Sequence, residues 1–199
     1  MPTVHLVRHG EVLNPNHVVY ADLAGFNLSA TGVLQAHAAG KYLAARPVDV
    51  VLTSPLARAH QTATAIARHH GMTPTIIADL TETRQYPRWT GQKWDDLDTL
   101  FPGQVEAYLD DASVLPNVEE TIADVASRVV AVAERAVDDG ADSIVVVGHQ
   151  DPTQAARLHM TGRSLSELLL DPPTHASITT LESNGDRWVE LAAWSPNIG

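Results

Sequence analysis

The sequence predicts an α/β fold: a three-layer sandwich with a mostly parallel central sheet, helices on both faces and an antiparallel hairpin at one edge. Two observations carry this expectation. Short apolar runs alternate with longer stretches whose apolar residues recur at three and four, the pattern of strands joined by crossover helices. Late in the chain two strand-like runs flank Asn184-Gly185, a strong hairpin signal.

Taken in order, the first strand is carried by Val4, Leu6 and Val7 and breaks at Arg8-His9-Gly10-Glu11. Glycine at that break lets the backbone turn sharply or pass close to a ligand. A loop over residues 12–27 follows, with Asn14-Pro15-Asn16 as its turn signal. Ser29 supplies an N-cap for a helix running to about residue 45, with Leu34, Ala38 and Leu43 on one face and Pro47 as its stop. A second strand is expected at 48–52, a helix at 57–70 closed by Gly71, and a third strand at 74–78. Tyr86, Trp89, Trp94, Phe101 and Tyr108 then sit among scattered prolines without a long clean period, which reads as an insertion of short helices and loops at about 81–120. Ile122, Val125, Ala126, Val129, Ala133, Ala136 and Val137 restore the helical period until Gly140. A fourth strand at 143–147 ends in Gly148-His149, and Pro152 suits the first turn of the next helix. Residues 177–181 and 188–191 form the hairpin strands. There is no internal repeat, and 199 residues suit one domain spanning 1–199.

Composition narrows the function. Apolar residues make up 44% of the chain, within the globular range. No apolar run could span a membrane and no charged-then-apolar start marks export, so the cytoplasm is the expected location. Without cysteine there is neither a disulfide framework nor a Cys-based zinc site. A formal net charge of −11 argues against nucleic acid as partner. A small anion is still admissible, because a few arginines focused in a cleft can oppose the global field.

Ligands of open α/β sheets bind at the carboxyl ends of strands. Arg8 and His9 stand at one such end and His149 at another that points the same way. A cation beside an imidazole there suggests an anion site containing a nucleophile or base. The other histidines read as structural. His5 should alternate out of the first strand, and His17, His37, His69, His70 and His159 lack metal-ligand spacing. His60, close after Arg58, could support the site from behind, and His175, just before a strand, could line the pocket, but both weigh toward structure. No His-Glu-x-x-His pattern and no glycine-rich nucleotide loop occur.

Leu6-Val7-Arg8-His9-Gly10-Glu11 resembles the signature of the histidine phosphatase superfamily, the phosphoglycerate mutase-like proteins. Further pieces resemble its motifs in order. They are Leu28-Ser29-Ala30-Thr31-Gly32 with Gln35-Ala36, the run from Ser54-Pro55 through Arg58 to Thr62-Ala63, Leu80-Thr81-Glu82, then Glu120-Thr121 with Asp124-Val125 and Arg128-Val129, and Val146-Val147-Gly148-His149. Arg-His-Gly alone is a weak pattern; the ordered set, spanning residues 4 to 150, is specific.

The resemblance implies a phosphoryl group carried as a phosphohistidine on His9, whose other ring nitrogen would need an acceptor such as a backbone carbonyl near Gly10. Arg8 and Arg58 would clamp the phosphate, since guanidinium is planar, permanently charged and able to hold two oxygens at once. His149 would contact the phosphoryl oxygens, and Glu82 would protonate the leaving alkoxide. Asp151, one place later than the Asp of another branch, is the competing donor. Asn14 and Gln150 complete the expected substrate contacts at two positions where the chain departs from the usual pattern. No metal and no cofactor is implied.

The expected reaction is hydrolysis of a small phosphomonoester. The alternatives are a mutase, disfavoured by a chain that stops soon after its hairpin, and a non-catalytic module binding a phosphorylated partner. The expected partner is the small ester itself, with a homodimer as the self-association to test. Specificity should lie in residues 83–117, where Arg84, Arg88 and Lys93 could read a second acidic group and Tyr86, Trp89 or Trp94 could stack on a ring.

Overall fold

Alternation on the central strands decides the layering. The computed structural model describes residues 1–185 and 187–198; Asp186 and Gly199 lie outside them. The strands are β1 (Thr3–Arg8), β2 (Val50–Thr53), β3 (Thr75–Ile76), β4 (Ser143–Gly148), β5 (Ile178–Ser183) and β6 (Trp188–Trp194). The α-helices are α1 (Ala30–Leu43), α2 (Ala57–Ala67), α3 (Leu97–Leu100), α4 (Gln104–Asp111), α5 (Ile122–Asp138) and α6 (Gln150–Met160). All of β4 is buried: Ile144 and Val146 join one core with Val129, Ala133 and Ala156 of α5 and α6, while Val145 and Val147 join another with Ala39, Leu43, Ala63 and Ile66 of α1 and α2. A strand apolar on both faces has to be covered on both.

The sheet order is β3-β2-β4-β1-β5-β6. The first four strands run parallel; β5 pairs antiparallel with β1, and β6 antiparallel with β5. This is the expected mostly parallel sheet with an antiparallel edge pair. Among the described residues no helix is long and apolar enough to cross a membrane.

Three local expectations change. The buried face of α1 is Gly32, Ala36, Ala39, Gly40 and Leu43, while Leu34 is 57% exposed. The reason is close packing: a Cβ added at Gly40 would lie 2.5 Å from the Ala65 carbonyl oxygen of α2. A stripe of small residues carries little hydrophobic signal, so the larger leucine misleads. The third strand keeps only two residues before the chain turns into a 3₁₀ turn at Ala78–Leu80. His5 does not reach solvent, because β1 is an interior strand. It is 3% exposed, its Nδ1 lies 3.0 Å from Thr180 Oγ1, and burial, with Arg46 nearby, pushes its pKa down to about 4.

Residues 81–120 hold α3, α4 and several 3₁₀ turns, as the broken periodicity implies. Trp89, Leu97, Phe101 and Val105 form a satellite core with Val19, Tyr86 and Tyr108. The loop after β1 is zipped onto this segment: Val19 N donates to Gln92 O at 2.8 Å, Gly91 N to Val19 O at 2.8 Å and Trp94 N to His17 O at 2.9 Å.

The close approach of α1 and α2 yields a stability prediction. Gly40→Ala should destabilise by about 1–3 kcal/mol through overpacking against backbone. Leu34→Ala should stay within about 0.5 kcal/mol. Urea unfolding of both variants checks this, and a Gly40→Ala midpoint equal to wild type would contradict it.

Candidate active site

Parallel pairing of β1 with β4 sets Arg8 opposite Gly148, so the residues that follow each strand emerge side by side. His9 N donates to Gly148 O at 3.0 Å, and the His9 and His149 rings lie 5.2 Å apart, edge to face. Both are buried, at 1% and 0% exposure. The convergence anticipated from two distant motifs is present.

Gly10 sits here because the chain passes against the start of α1: a Cβ at Gly10 would lie 2.5 Å from the Gly32 carbonyl oxygen. Ser29 caps that helix by accepting from Gly32 N at 2.9 Å, and its hydroxyl donates to Glu11 at 2.5 Å. Gly10 N donates to Thr62 Oγ1 at 3.1 Å, which ties the loop to α2. The loop so fixed aims the Gly10 carbonyl at His9 Nδ1, 2.7 Å away. A carbonyl only accepts, so the proton sits on Nδ1 and Nε2 keeps its lone pair. Burial, then Arg58 and Arg8, hold the His9 pKa well below its ordinary value, so the ring stays neutral.

Arg58 lies in the first turn of α2 and is fully buried. Its Nη2 donates to Ala21 O at 2.5 Å, and its guanidinium lies 4.6 Å from the centroid of the Tyr20 ring. Arg8 Nη1 donates to Pro173 O at 2.8 Å, and Arg8 Nη2 donates to His175 Nε2 at 3.1 Å. His149 Nε2 lies 2.8 Å from Ser54 Oγ. Four buried nitrogens of this cluster lack any protein partner: Arg8 Nε, Arg58 Nε, Arg58 Nη1 and His149 Nδ1. Unsatisfied buried donors are costly, so their gathering around one imidazole marks a place built for an oxyanion. Among the described residues, no group of three or more His, Cys, Asp or Glu side chains is placed to hold a metal ion.

Glu82 closes the cluster from the side. Its Oε2 lies 3.9 Å from His149 Nδ1, and its Oε1 accepts from Thr83 N at 2.9 Å. His149 is held well below its ordinary pKa by burial and Arg58, so this contact is proximity rather than an ion pair. Burial and the neighbouring Asp151 push the Glu82 pKa up to about 7. Asp151 is also raised by burial, yet it accepts from Tyr108 Oη at 3.0 Å and from Gln150 Nε2 at 3.3 Å. Those donors favour its ionised form, so the proton shared by the pair belongs on Glu82.

A cavity of about 590 Å³ opens above, with Arg8, Glu82, Gln150 and Asp151 on its walls beside Tyr20, Tyr86, Trp89, Trp94 and Tyr108. Gln150 therefore lies on the cavity wall. Asn14 does not: its Nδ2 donates to Val18 O at 2.9 Å and its Oδ1 accepts from Val18 N at 3.2 Å, so it staples its own loop and is not on the cavity wall. Of the specificity candidates, the three aromatics line the cavity, while Arg84, Arg88 and Lys93 do not.

Sequence reasoning missed several contributors. His175, read as structural, holds Arg8, and its ring lies 5.9 Å from that of His9. Ser54 and Thr62 lie inside a quoted motif without being singled out. Arg128, also inside one, donates to the carbonyls of Asp79 at 2.6 Å, Thr81 at 2.9 Å and Glu82 at 3.4 Å, and Glu120 holds it in turn at 2.6 Å. It thereby fixes the loop that presents Glu82.

A sequence profile of the histidine phosphatase superfamily (branch 1) matches residues 4–195. The uncharacterized protein Rv0525 of Mycobacterium tuberculosis is 35% identical over 198 residues, covering 97% of this chain and 96% of that protein. A glucosyl-3-phosphoglycerate phosphatase of Mycolicibacterium vanbaalenii is 34% identical over 124 residues, 62% of this chain and 54% of that protein. Among solved structures, the mycobacterial glucosyl-3-phosphoglycerate phosphatase Rv2419c complexed with VO3 superposes with a TM-score of 0.87 at 25% identity, covering 98% of this chain and 99% of that chain. Phosphoserine phosphatase of Entamoeba histolytica, in complex with 3-phosphoglyceric acid, shares the fold: TM-score 0.81 at 18% identity, covering 99% and 98%.

The raised pKa of Glu82 has a signed consequence for stability. Between its ordinary value of 4.5 and about 7 the folded chain binds the proton that the unfolded chain has released. Stability should therefore fall as pH rises through that window, by at most roughly 1.4 kcal/mol per pH unit. Glu82→Gln should remove the fall, so the variant gains on wild type at pH 8 and loses that gain near pH 4. Urea unfolding of both proteins at the two pH values measures it; a constant difference would contradict the assignment.

Proposed function

The chain belongs to the histidine phosphatase superfamily, and on that premise we propose that it hydrolyses a small phosphomonoester through a phosphohistidine formed on His9. The observation that carries this is the ring of four partnerless buried nitrogens around an imidazole whose Nδ1 is already bonded to the Gly10 carbonyl. Arg8, Arg58 and His149 bind the phosphoryl oxygens. The lone pair of His9 Nε2 forms the P–N bond while the ester P–O bond breaks toward the leaving oxygen. Glu82 donates its proton to that oxygen. Water then attacks phosphorus, Glu82 takes the water's proton, and the P–N bonding pair returns to Nε2.

Three features support these roles. Neutral His9 is nucleophilic without prior deprotonation. Ser54 Oγ accepts from Leu56 N at 3.2 Å and lies 2.8 Å from His149 Nε2; with the serine O–H donating to that nitrogen, the His149 proton is on Nδ1 and faces the phosphoryl group. Charge-assisted hydrogen bonds from guanidinium, worth roughly 1.5–3 kcal/mol each, act on charge that develops in the transition state.

Phosphate release from alkyl and aryl phosphates tests the reading. His9→Ala should abolish turnover, and rapid quenching of wild type should trap an acid-labile, base-stable phosphoprotein absent from the variant. Glu82→Gln should lower kcat on an alkyl phosphate by about 10²–10⁴-fold, and much less on an aryl phosphate, whose leaving group needs no proton. Asp151→Asn should retain turnover; the reverse pattern would move the donor to Asp151. On alkyl esters kcat/KM should fall as pH rises through about 7, where Glu82 loses its proton. Accumulation of 2-phosphoglycerate from 3-phosphoglycerate without free phosphate would turn the reading to a mutase.

A further inference from the structure

We infer that the body of the ester carries no second anionic group and presents an apolar or aromatic ring to the cavity; this rests on the phosphatase reading for which end of the ligand meets His9. The wall above the phosphoryl hollow has five aromatic side chains, Tyr20, Tyr86, Trp89, Trp94 and Tyr108, with Leu109 and Leu169 beside them. The Trp89 ring packs at a tilt against Tyr86 at 4.6 Å and meets Trp94 and Tyr108 edge-on at 6.1 and 5.8 Å. These contacts give the wall a fixed shape. Trp94 is 43% exposed and Leu109 58% exposed, so apolar surface remains at the mouth for a ligand to cover. At about 590 Å³ the cavity has room for a ring beyond the phosphate.

The charges on that wall have the wrong sign for a second anion. Among the described residues lining it, Arg8 is the one cation, and its two terminal nitrogens are engaged by Pro173 and His175. The other two ionisable acids or bases there, apart from the tyrosines, are Glu82 and Asp151. The nearby cations of the insertion are turned to other uses. Arg84 pairs with Asp22 at 2.9 Å and Glu119 at 3.6 Å, Arg88 lies 5.1 Å from the centroid of the Phe101 ring, and exposed Lys93 is off the wall. A carboxylate on the substrate body would leave water to meet acids and aromatic faces, with no guanidinium or ammonium to receive it.

Non-hydrolysable phosphonates test this independently of catalysis. Calorimetry at pH 7.5 with wild-type protein compares benzylphosphonate, propylphosphonate and 3-phosphonopropionate. Benzylphosphonate should bind tightest and 3-phosphonopropionate weakest, the extremes differing by at least about tenfold. Leu109→Arg, at a half-exposed wall position, adds the missing cation and should narrow that ratio by up to about fivefold, the scale of one partly exposed ion pair. Equal or tighter binding of 3-phosphonopropionate to wild type overturns the inference, as does absence of all binding or a ratio that Leu109→Arg leaves unchanged. Failure to hydrolyse any ester while the phosphonate order holds would remove the phosphatase reading alone.

Discussion

A guanidinium buried without a carboxylate is the constraint from which the rest of the site follows. Arg58 is fully buried, and among the described residues no acid lies within ion-pair distance of it. One carbonyl and the face of Tyr20 are its company. An uncompensated buried charge costs several kcal/mol, which folding must offset elsewhere. Its field reaches every neighbour: it helps hold His9 and His149 neutral, and it opposes the rise in the Glu82 pKa without cancelling it. In the proposed reaction, a phosphoryl dianion entering the hollow would relieve the same cost. Stability and ligand affinity are thus coupled through a single side chain.

Topology makes that arrangement reachable. Placing β4 beside β1, with β2 on the far side of β4, brings the carboxyl ends of three parallel strands to one rim. One rim then carries His9 after β1, Ser54 and Arg58 after β2, and His149 after β4. The antiparallel strand β5 contributes from the other side. Arg8 N donates to Ser177 O at 3.3 Å and Ala176 N donates to His9 O at 3.1 Å, so the loop before β5 braces the backbone of His9 itself. That loop is also where Pro173 and His175 meet Arg8. The hairpin is therefore part of the site's support as well as the end of the sheet.

How far the sequence reveals this depends on whether a residue's role is local. Strand ends, caps and glycine breaks are decided by neighbours in the chain, so the fold and the strand-end pair Arg8-His9 could be read directly, whereas Arg58, Glu82 and the role of His149 are singled out only by the resemblance to family motifs. For His175 the sequence offers a place beside the pocket but not its hold on Arg8, which is 167 positions away and marked by no local pattern. Asn14 misled for the complementary reason: a polar residue near the nucleophile fits a phosphate contact, yet its loop needed both of its side-chain atoms. Arg84, Arg88 and Lys93 share the segment with Tyr86, Trp89 and Trp94, and only packing decides which set turns inward. Trp89 and Tyr86 pack into the satellite core, and the long cations turn outward, toward acids, the face of an aromatic ring and water.

A cationic floor beneath an acidic wall sets two fields against each other, since the wall repels the anion that the floor attracts. The resolution lies in how Glu82 and Asp151 divide one proton. Two side-chain donors stabilise charge on Asp151, whereas Glu82 has one backbone donor and lies against a histidine that burial keeps neutral. With the proton on Glu82, half of the wall's repulsion disappears, and the neutralised carboxyl becomes a donor at the boundary between floor and wall. That boundary is where an ester oxygen would lie, with phosphorus over the floor and the body against the aromatics. Burial first, and then the charge on Asp151, raise the Glu82 pKa to about 7, and the repulsion that remains disfavours any second negative charge on the body of the proposed ester.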